Sequence, residues 1–112
     1  LPFVNYTGPV QLLEAGDQVK LGGDNMTVLF TPGHSPGSIS FHNAPQHFVI
    51  GGDVLFQGSI GRTDLPGGDY DTLIDSIKTQ LLPLPDDTVV YSGHGPATTI
   101  GRERRNNPFL QD

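Results

Sequence analysis

Alternating and continuous apolar runs along the chain predict a set of short strands. Residues 17–21 and 38–42 alternate polar and apolar side chains, as half-buried strands do. Further runs that are short and mostly apolar indicate buried strands at 26–31, 47–50 and 88–91. The segments 22–25 (GGDN) and 43–45 (NAP) have turn composition, so the strands that flank each of them are expected to form hairpins.

The clearest helix is predicted over about residues 69–82. Apolar side chains recur there with helical spacing on one face, at Tyr70, Leu73, Ile74, Ile77 and Leu81. Asp69 or Asp71 can cap its amino end, and Pro83 ends it because proline cannot continue the backbone hydrogen bonding. A second, short basic helix is predicted from Thr98 or Thr99 to Arg105.

The remaining segments carry weaker patterns. Residues 10–13 fit either a short strand or a linker, and residues 51–68 are predicted to be loop because they are rich in glycine and aspartate. Strands alternating with two helices predict one α/β (or α+β) unit, with a mixed or antiparallel sheet and flanking helices.

The composition limits the chain to one small domain and narrows its chemistry. At 112 residues it is one domain at most, and a net charge of -6 argues against a nucleic-acid partner. Cysteine is absent, so any metal must bind through nitrogen and oxygen. Because we find no signal peptide and no apolar run of membrane length, we expect a cytoplasmic protein without a membrane partner.

Three of the predicted strands end in the same way, with glycine followed by a metal-competent side chain. These side chains are His34, Asp53 and His94. Glycine lets the backbone turn sharply, and ligand sites gather at the ends of neighbouring strands in α/β sheets. Two histidines and a carboxylate suit zinc or another transition metal. Three such ligands can hold one metal ion, but they do not complete a two-metal site.

Each of these residues alone has a simpler interpretation. His34 could be a structural loop histidine, Asp53 a turn-former or helix cap, and His94 a histidine in a surface turn. The metal hypothesis depends on the repetition in three independent strands. His42 and His47 serve as comparisons, because neither follows a glycine, and we interpret both as non-ligands.

Charged residues outside this set suggest two further features. Asp64 is placed to pair with Arg62 and to shape the loop over the site. Arg102, Arg104 and Arg105 form a basic face on an acidic chain. That face is either a solvated helix surface or a contact for an anionic substrate, in which case Arg102 and Arg105 are the candidate binding residues.

These motifs together resemble the metallo-β-lactamase superfamily, and within it the glyoxalase II-like hydrolases. Residues 31–38 (TPGHSPGS) resemble its third histidine motif, residues 51–56 (GGDVLF) its bridging-aspartate motif, and residues 92–96 (SGHGP) its final-histidine motif. Residues 58–69 and 99–109 resemble the short, single-domain bacterial branch. The similarity covers roughly residues 14–110.

The resemblance also implies that a part is missing, since the family's first motif, His-x-His-x-Asp-His, does not occur in this sequence. We therefore interpret residues 1–112 as the carboxyl-terminal half of the four-layer αββα fold, with Leu1 as a cut end. By resemblance, His34 binds a first metal, Asp53 bridges two metals and His94 binds the second. Two zinc ions are expected, with iron or manganese as alternatives.

The same resemblance implies a reaction and partners. The intact enzyme is expected to hydrolyse a thioester such as a hydroxyacylglutathione by a metal-bound hydroxide, with Asp53 orienting that hydroxide. This chain alone is expected to be inactive, and to associate with its amino-terminal half or with itself. A mononuclear iron persulfide dioxygenase is the alternative enzyme, and a non-catalytic half or binding module is the alternative from another class. A β-lactamase is disfavoured because those enzymes commonly carry Cys or Ser at the position of Asp53.

Overall fold

The computed structural model describes residues 16–21, 23–35 and 37–111. The possible strand at 10–13 lies outside these residues. The strands are β1 Gln18–Leu21, β2 Asp24–Phe30, β3 Ile39–Asn43, β4 Phe48–Gly52, β5 Leu55–Phe56, β6 Ser59–Ile60, β7 Val89–Ser92 and β8 Thr98–Thr99. The helices are α1 Tyr70–Ser76, a π-helical continuation Ile77–Leu81, and α2 Ile100–Asn106.

The strands form a mixed sheet, which confirms the predicted fold class. Six strands lie in the order β1-β2-β3-β4-β7-β8, and β5 and β6 form a separate hairpin. All neighbours in the large sheet are antiparallel except β4 and β7, which are parallel. A parallel pair needs a crossover connection, and α1 with its π-helical continuation lies within that connection.

The predicted helix over 69–82 is present, but its second half differs from expectation. Asp69 caps α1, because its side chain accepts a hydrogen bond from the Thr72 backbone at 3.1 Å. After Ser76 the backbone widens into the π-helix, where the Leu82 amide donates to the Ile77 carbonyl at 2.9 Å. The predicted apolar face is buried at Leu73, Ile77 and Leu81.

The prediction that residues 51–68 are loop is wrong in part, since β4 extends to Gly52 and the β5–β6 hairpin lies within this segment. Of the two residues predicted to start the second helix, Thr99 is confirmed as its cap, and Thr98 belongs to strand β8. Two-residue strands are too short to show alternation, so their pairing depends on neighbours that are distant in sequence.

The two faces of the large sheet are covered differently. One face packs against the helices, and the main core lies between them. This core consists of Val49, Val54, Leu55, Leu73, Ile77, Leu81, Val90, Ile100 and Leu110. The other face carries a smaller cluster that lies entirely on β1–β4, made of Val19, Met26, Val28, Ile39, Phe41, Phe48 and Ile50. Within the described part of the chain, no helix packs against this second cluster. No described helix is long and apolar enough to cross a membrane.

Candidate metal centre

His34 lies on a loop that is pinned against α1. Gly33 precedes it with φ +130°, and a Cβ atom at Gly33 would lie 2.3 Å from the Leu73 backbone. The Gly33 carbonyl accepts a hydrogen bond from the Asp69 amide at 2.7 Å. Only glycine allows this close approach, so the glycine predicted as a turn residue also docks the loop on the helix.

The His34 imidazole is oriented by a backbone carbonyl. Its Nδ1 lies 2.8 Å from the Arg62 carbonyl oxygen. Because that oxygen can only accept, Nδ1 carries the hydrogen and Nε2 presents a lone pair. Metal-binding histidines in proteins are commonly held in this way.

Arg62 and Asp64 form the predicted pair in the loop beside His34. The Arg62 Nε and Nη2 atoms donate to the two Asp64 carboxylate oxygens at 3.0 and 3.1 Å. This side-chain hydrogen bonding raises the pKa of Arg62 and lowers that of Asp64, so both stay charged. The pair is exposed to solvent, so its effect is to shape the loop whose carbonyl holds His34.

Asp53 is enclosed by glycines at the end of β4. The backbone turns at Gly52, which has φ +54°. A Cβ atom on Gly61 would lie 1.8 Å from the Asp53 carbonyl oxygen, and one on Gly93 would lie 2.8 Å from its Oδ1. Two other segments therefore pack against Asp53, Gly61 at its backbone carbonyl and Gly93 at its carboxylate, and a side chain at either glycine would displace the group that it meets.

His94 follows β7 and lies at the surface. The Ser92 hydroxyl donates to the His94 carbonyl, which tightens the turn that presents the ring. The imidazole is 6.2 Å from the Phe56 ring, measured between centroids. Its side chain is 80% exposed, compared with 25% for His34, so the second histidine lies on the open side of the site.

The structure brings the three predicted residues together around one carboxylate. The His34 Nε2 lies 3.7 Å from Asp53 Oδ2, and the His94 Nε2 lies 3.4 Å from Asp53 Oδ1. Two atoms that each bind the same ion at about 2.1 Å are separated by roughly 3.0–3.6 Å. Both observed distances are close to that separation, so the donor set fits a carboxylate shared between two cations.

The same geometry shows that His34, Asp53 and His94 do not form a complete metal site. Among residues 16–21, 23–35 and 37–111, no group of three His, Asp or Glu side chains is arranged to hold a single ion. Each imidazole faces a different oxygen of Asp53, so the three residues form two pairs instead of one triad. Two ligands are too few for a stable site, and each pair needs further ligands.

The two comparison histidines lie elsewhere in the fold. His42 is on β3 between Thr27 and Val49, and burial lowers its pKa. His47 is exposed in a turn, and its Nδ1 lies 3.4 Å from Asp87 Oδ2. Neither imidazole forms part of the arrangement around Asp53.

The arginines of α2 are mostly engaged with the adjacent loop. Arg104 pairs with Asp86 and also donates to the Leu84 carbonyl at 3.2 Å. Arg105 Nη1 lies 3.5 Å from the other Asp86 oxygen, and Arg102 is exposed. The suggested contact of Arg102 and Arg105 with an anionic substrate stays a prediction.

An open cavity of about 370 Å³ lies beside His94. Its lining consists of Phe56, Gln57, Ser59, Ile60, His94, Gly95 and Pro96. The sequence analysis did not identify the β5–β6 hairpin as a wall of this cavity. It also missed the buried pair formed by Glu103 on α2 and Asn107 at the C-cap of that helix, for which the available signal was their spacing of four residues.

Comparison with known families identifies the group to which this arrangement belongs. The family model for the metallo-beta-lactamase superfamily matches residues 1–94. The hydroxyacylglutathione hydrolase GloC of Haemophilus influenzae is 56% identical over 97 residues, which cover 87% of this chain and 46% of GloC. The chain thus spans about half the length of the curated relatives it matches.

Solved structures give the same result. The B3 metallo-beta-lactamase BLEG-1 superposes with a TM-score of 0.84 at 51% identity, over 90% of this chain and 48% of that protein. TTHA1623 in a di-iron-bound form has a TM-score of 0.80 at 51% identity, over 91% and 49%. ETHE1 from Myxococcus xanthus has a TM-score of 0.79 at 40% identity, over 86% and 44%.

Proposed function

The chain belongs to the metallo-beta-lactamase superfamily, and from this membership we propose that the whole protein hydrolyses thioesters of the hydroxyacylglutathione type. The superfamily consists of metal-dependent proteins, and the similarity to GloC supports a hydrolase. The observation that carries the proposal is the Asp53 carboxylate, whose two oxygens face the imidazoles of His34 and His94 separately.

In this proposal the three residues hold two metal ions. His34 together with Asp53 would hold one ion, and His94 together with Asp53 would hold the other. The remaining ligands come from the His-x-His-x-Asp-His motif, which this chain does not contain. We propose zinc as the native metal, with iron as the alternative that the di-iron form of TTHA1623 supports.

When bound, such ions supply a water of lowered pKa and polarise the carbonyl of the ester. The residues of this chain hold and orient the reacting groups. Asp53 fixes the spacing of the two positions, and the Arg62 carbonyl fixes the tautomer of His34. A thiol has a pKa of about 8.5, so the thiolate leaves without a strong general acid.

The residues that line the cavity are also consistent with a thiolate as the leaving group. His94 is the one titratable side chain among the seven lining residues. An amine leaving group would need a proton donor at this place, whereas a thiolate does not. This argument supports a thioester over an amide, and it adds to the presence of Asp53 as a reason for ranking lactam hydrolysis lower despite the similarity to BLEG-1.

The test compares the whole protein with an Asp53→Ala variant. We expect zinc at near two ions per protein in elemental analysis, and hydrolysis of a hydroxyacylglutathione by the unmodified protein. Loss of the shared carboxylate is expected to lower kcat at least about a hundredfold and to reduce the bound metal. Full activity of Asp53→Ala would show that the proposed role of this residue is wrong.

A second candidate, an iron persulfide dioxygenase, is supported by the similarity to ETHE1. Such an enzyme needs one iron held by two histidines and a carboxylate, so it would use only one of the two His–Asp53 pairs, together with a ligand from outside this chain. Oxygen consumption with a persulfide substrate, together with one iron per protein and no thioester hydrolysis, would favour this candidate. A protein without either activity would favour the non-catalytic alternative.

A further inference from the structure

A buried carboxylate on α2 connects two segments that are far apart in sequence. Glu103 is 1% exposed. Its Oε1 accepts hydrogen bonds from the Gly58 amide at 2.8 Å and from Asn107 Nδ2 at 2.9 Å. Its Oε2 accepts from the Thr98 hydroxyl at 2.6 Å. A buried carboxylate is costly unless it is hydrogen-bonded, and these three donors offset that cost.

The two oxygens of Glu103 accept hydrogen bonds from different segments, the β5–β6 turn and the start of β8. Oε1 holds Gly58 at the turn of the β5–β6 hairpin, and Asn107 adds a bond to the Ser59 carbonyl at 3.0 Å. Oε2 holds Thr98, at the start of β8. One rigid group therefore ties the hairpin to the segment that follows the His94 loop.

The hairpin forms one wall of the cavity, and the loop that ends just before Thr98 forms the other. The hairpin contributes Phe56, Gln57, Ser59 and Ile60, and the loop after β7 contributes His94, Gly95 and Pro96. The hairpin has only two residues in each strand, so few backbone bonds stabilise it by itself. Leu55 anchors the hairpin in the main core, and the bonds from Glu103 and Asn107 hold its turn at Gly58 and Ser59.

We propose that Glu103 is a positioning residue that sets the separation of these two walls and thereby the binding of substrate beside His94. This inference rests on the proposed function. Because apolar and neutral side chains line the hairpin wall, the part of the substrate that binds there is uncharged. Glu103 itself does not touch the substrate, since it is buried beneath the hairpin turn.

The test compares Glu103→Leu with Glu103→Gln in the whole protein. Leucine removes all three bonds. Glutamine keeps them, because its carbonyl oxygen replaces Oε1 and its amide donates to the Thr98 hydroxyl, which can also accept. We expect KM for the thioester to rise about tenfold in Glu103→Leu with a smaller change in kcat, and to stay near the unmodified value in Glu103→Gln.

A spectroscopic measurement makes the test independent of catalysis. The Phe56 ring lies near the His94 imidazole, so a shifted wall alters the ring-current shift of the His94 proton resonances. Glu103→Leu is expected to move these resonances and to speed hydrogen exchange at the Gly58 amide, and Glu103→Gln to restore both. If no thioester is hydrolysed, the proposed function fails while this measurement still decides the role of Glu103.

A matched control separates positioning from general stability. Gln111 donates to the Arg104 and Asn107 carbonyls, at the end of α2 and without contact to the carboxylate. Gln111→Ala is expected to lower the melting temperature without changing KM or the His94 resonances. Should Glu103→Leu behave like Gln111→Ala, with lower stability but unchanged KM and His94 resonances, the proposal is overturned.

A milder variant covers the case in which Glu103→Leu does not fold. Thr98→Val keeps the shape of the side chain and removes only the donor to Oε2. It is expected to shift the His94 resonances in the same direction and to raise KM by a smaller factor. A folded Thr98→Val protein with unshifted resonances and unchanged KM would also overturn the proposal.

Discussion

At the residue scale, the position of Asp53 depends on two neighbouring glycines that have no side chain. Gly93 approaches the carboxylate so closely that any side chain there would meet Oδ1, and Gly61 approaches its carbonyl. Sequence reasoning assigned the glycines before the ligands to sharp turns. The structure shows that Gly93 has the additional role of leaving room for the neighbouring ligand.

The first prediction concerns this contact. In Gly93→Ala the new Cβ atom would lie 2.8 Å from Asp53 Oδ1, so the carboxylate must move. We expect metal affinity to fall about 10- to 100-fold, measured by competition with a chelator. Gly51→Ala is the matched control, because its Cβ would lie 3.9 Å from Ser40 Oγ, in ordinary contact. Equal affinities in the two variants would contradict the close-contact argument.

The second prediction concerns His42. Burial lowers its pKa below the ordinary value of 6.5, so the unfolded chain binds a proton more readily than the folded chain. The contribution of His42 is therefore complete above pH 6.5 and is lost as the pH falls through the folded-state pKa. His42→Gln is expected to flatten the pH dependence of the unfolding free energy between about pH 7.5 and 5. Urea titrations across this range measure it, and parallel curves for the two proteins would contradict the prediction.

At the element scale, the contact between the His34 loop and α1 links the fold to the site. The amphipathic period predicted the helix, and Asp69 is indeed its cap. The π-helical widening after Ser76 and the docking of Gly33 on Leu73 leave no local signal, because both depend on how the helix packs. The β5–β6 hairpin was missed for the same reason.

The third prediction tests this docking. Gly33→Ala places a Cβ atom 2.3 Å from the Leu73 backbone, at a φ of +130° that side chains rarely adopt. We expect a loss of about 2–4 kcal/mol in unfolding free energy, because backbone strain adds to the clash. Gly37→Ala in the same loop is the control, since nothing lies within 4 Å of its Cβ. Denaturant unfolding gives the comparison, and similar losses in both variants would count against it.

At the scale of the whole molecule, the face of the large sheet that carries the smaller cluster is buried at Met26, Val28 and Phe41 but leaves two large apolar side chains exposed. Phe30 and Tyr91 are 39% and 49% exposed. Tyr91 packs edge-on against Phe48, with ring centroids 5.8 Å apart. Exposed apolar side chains on one sheet face favour association, and the other half of the family fold is the partner that we propose for Phe30 and Tyr91.

The fourth prediction follows from this face. The 112-residue chain alone is expected to form dimers or larger species in light scattering, and to bind an added amino-terminal half. Replacing both Phe30 and Tyr91 by lysine is expected to weaken this association, because charges are costly in an apolar interface. Exposed Leu65, on a different loop, provides the control as Leu65→Lys. A stable, monodisperse monomer of the unmodified chain would contradict the prediction.

The sequence by itself determined the local features of this protein. Four features could be recognised in the sequence, because each depends on a few neighbouring residues. They are the helical period, the aspartate cap, the three strand ends at which glycine precedes a candidate ligand, and the superfamily. Only the tertiary structure decided how the oxygens of Asp53 divide between His34 and His94, and which walls Glu103 ties together. Those relations join segments from 5 to 45 residues apart, and no local pattern specifies the distances between them.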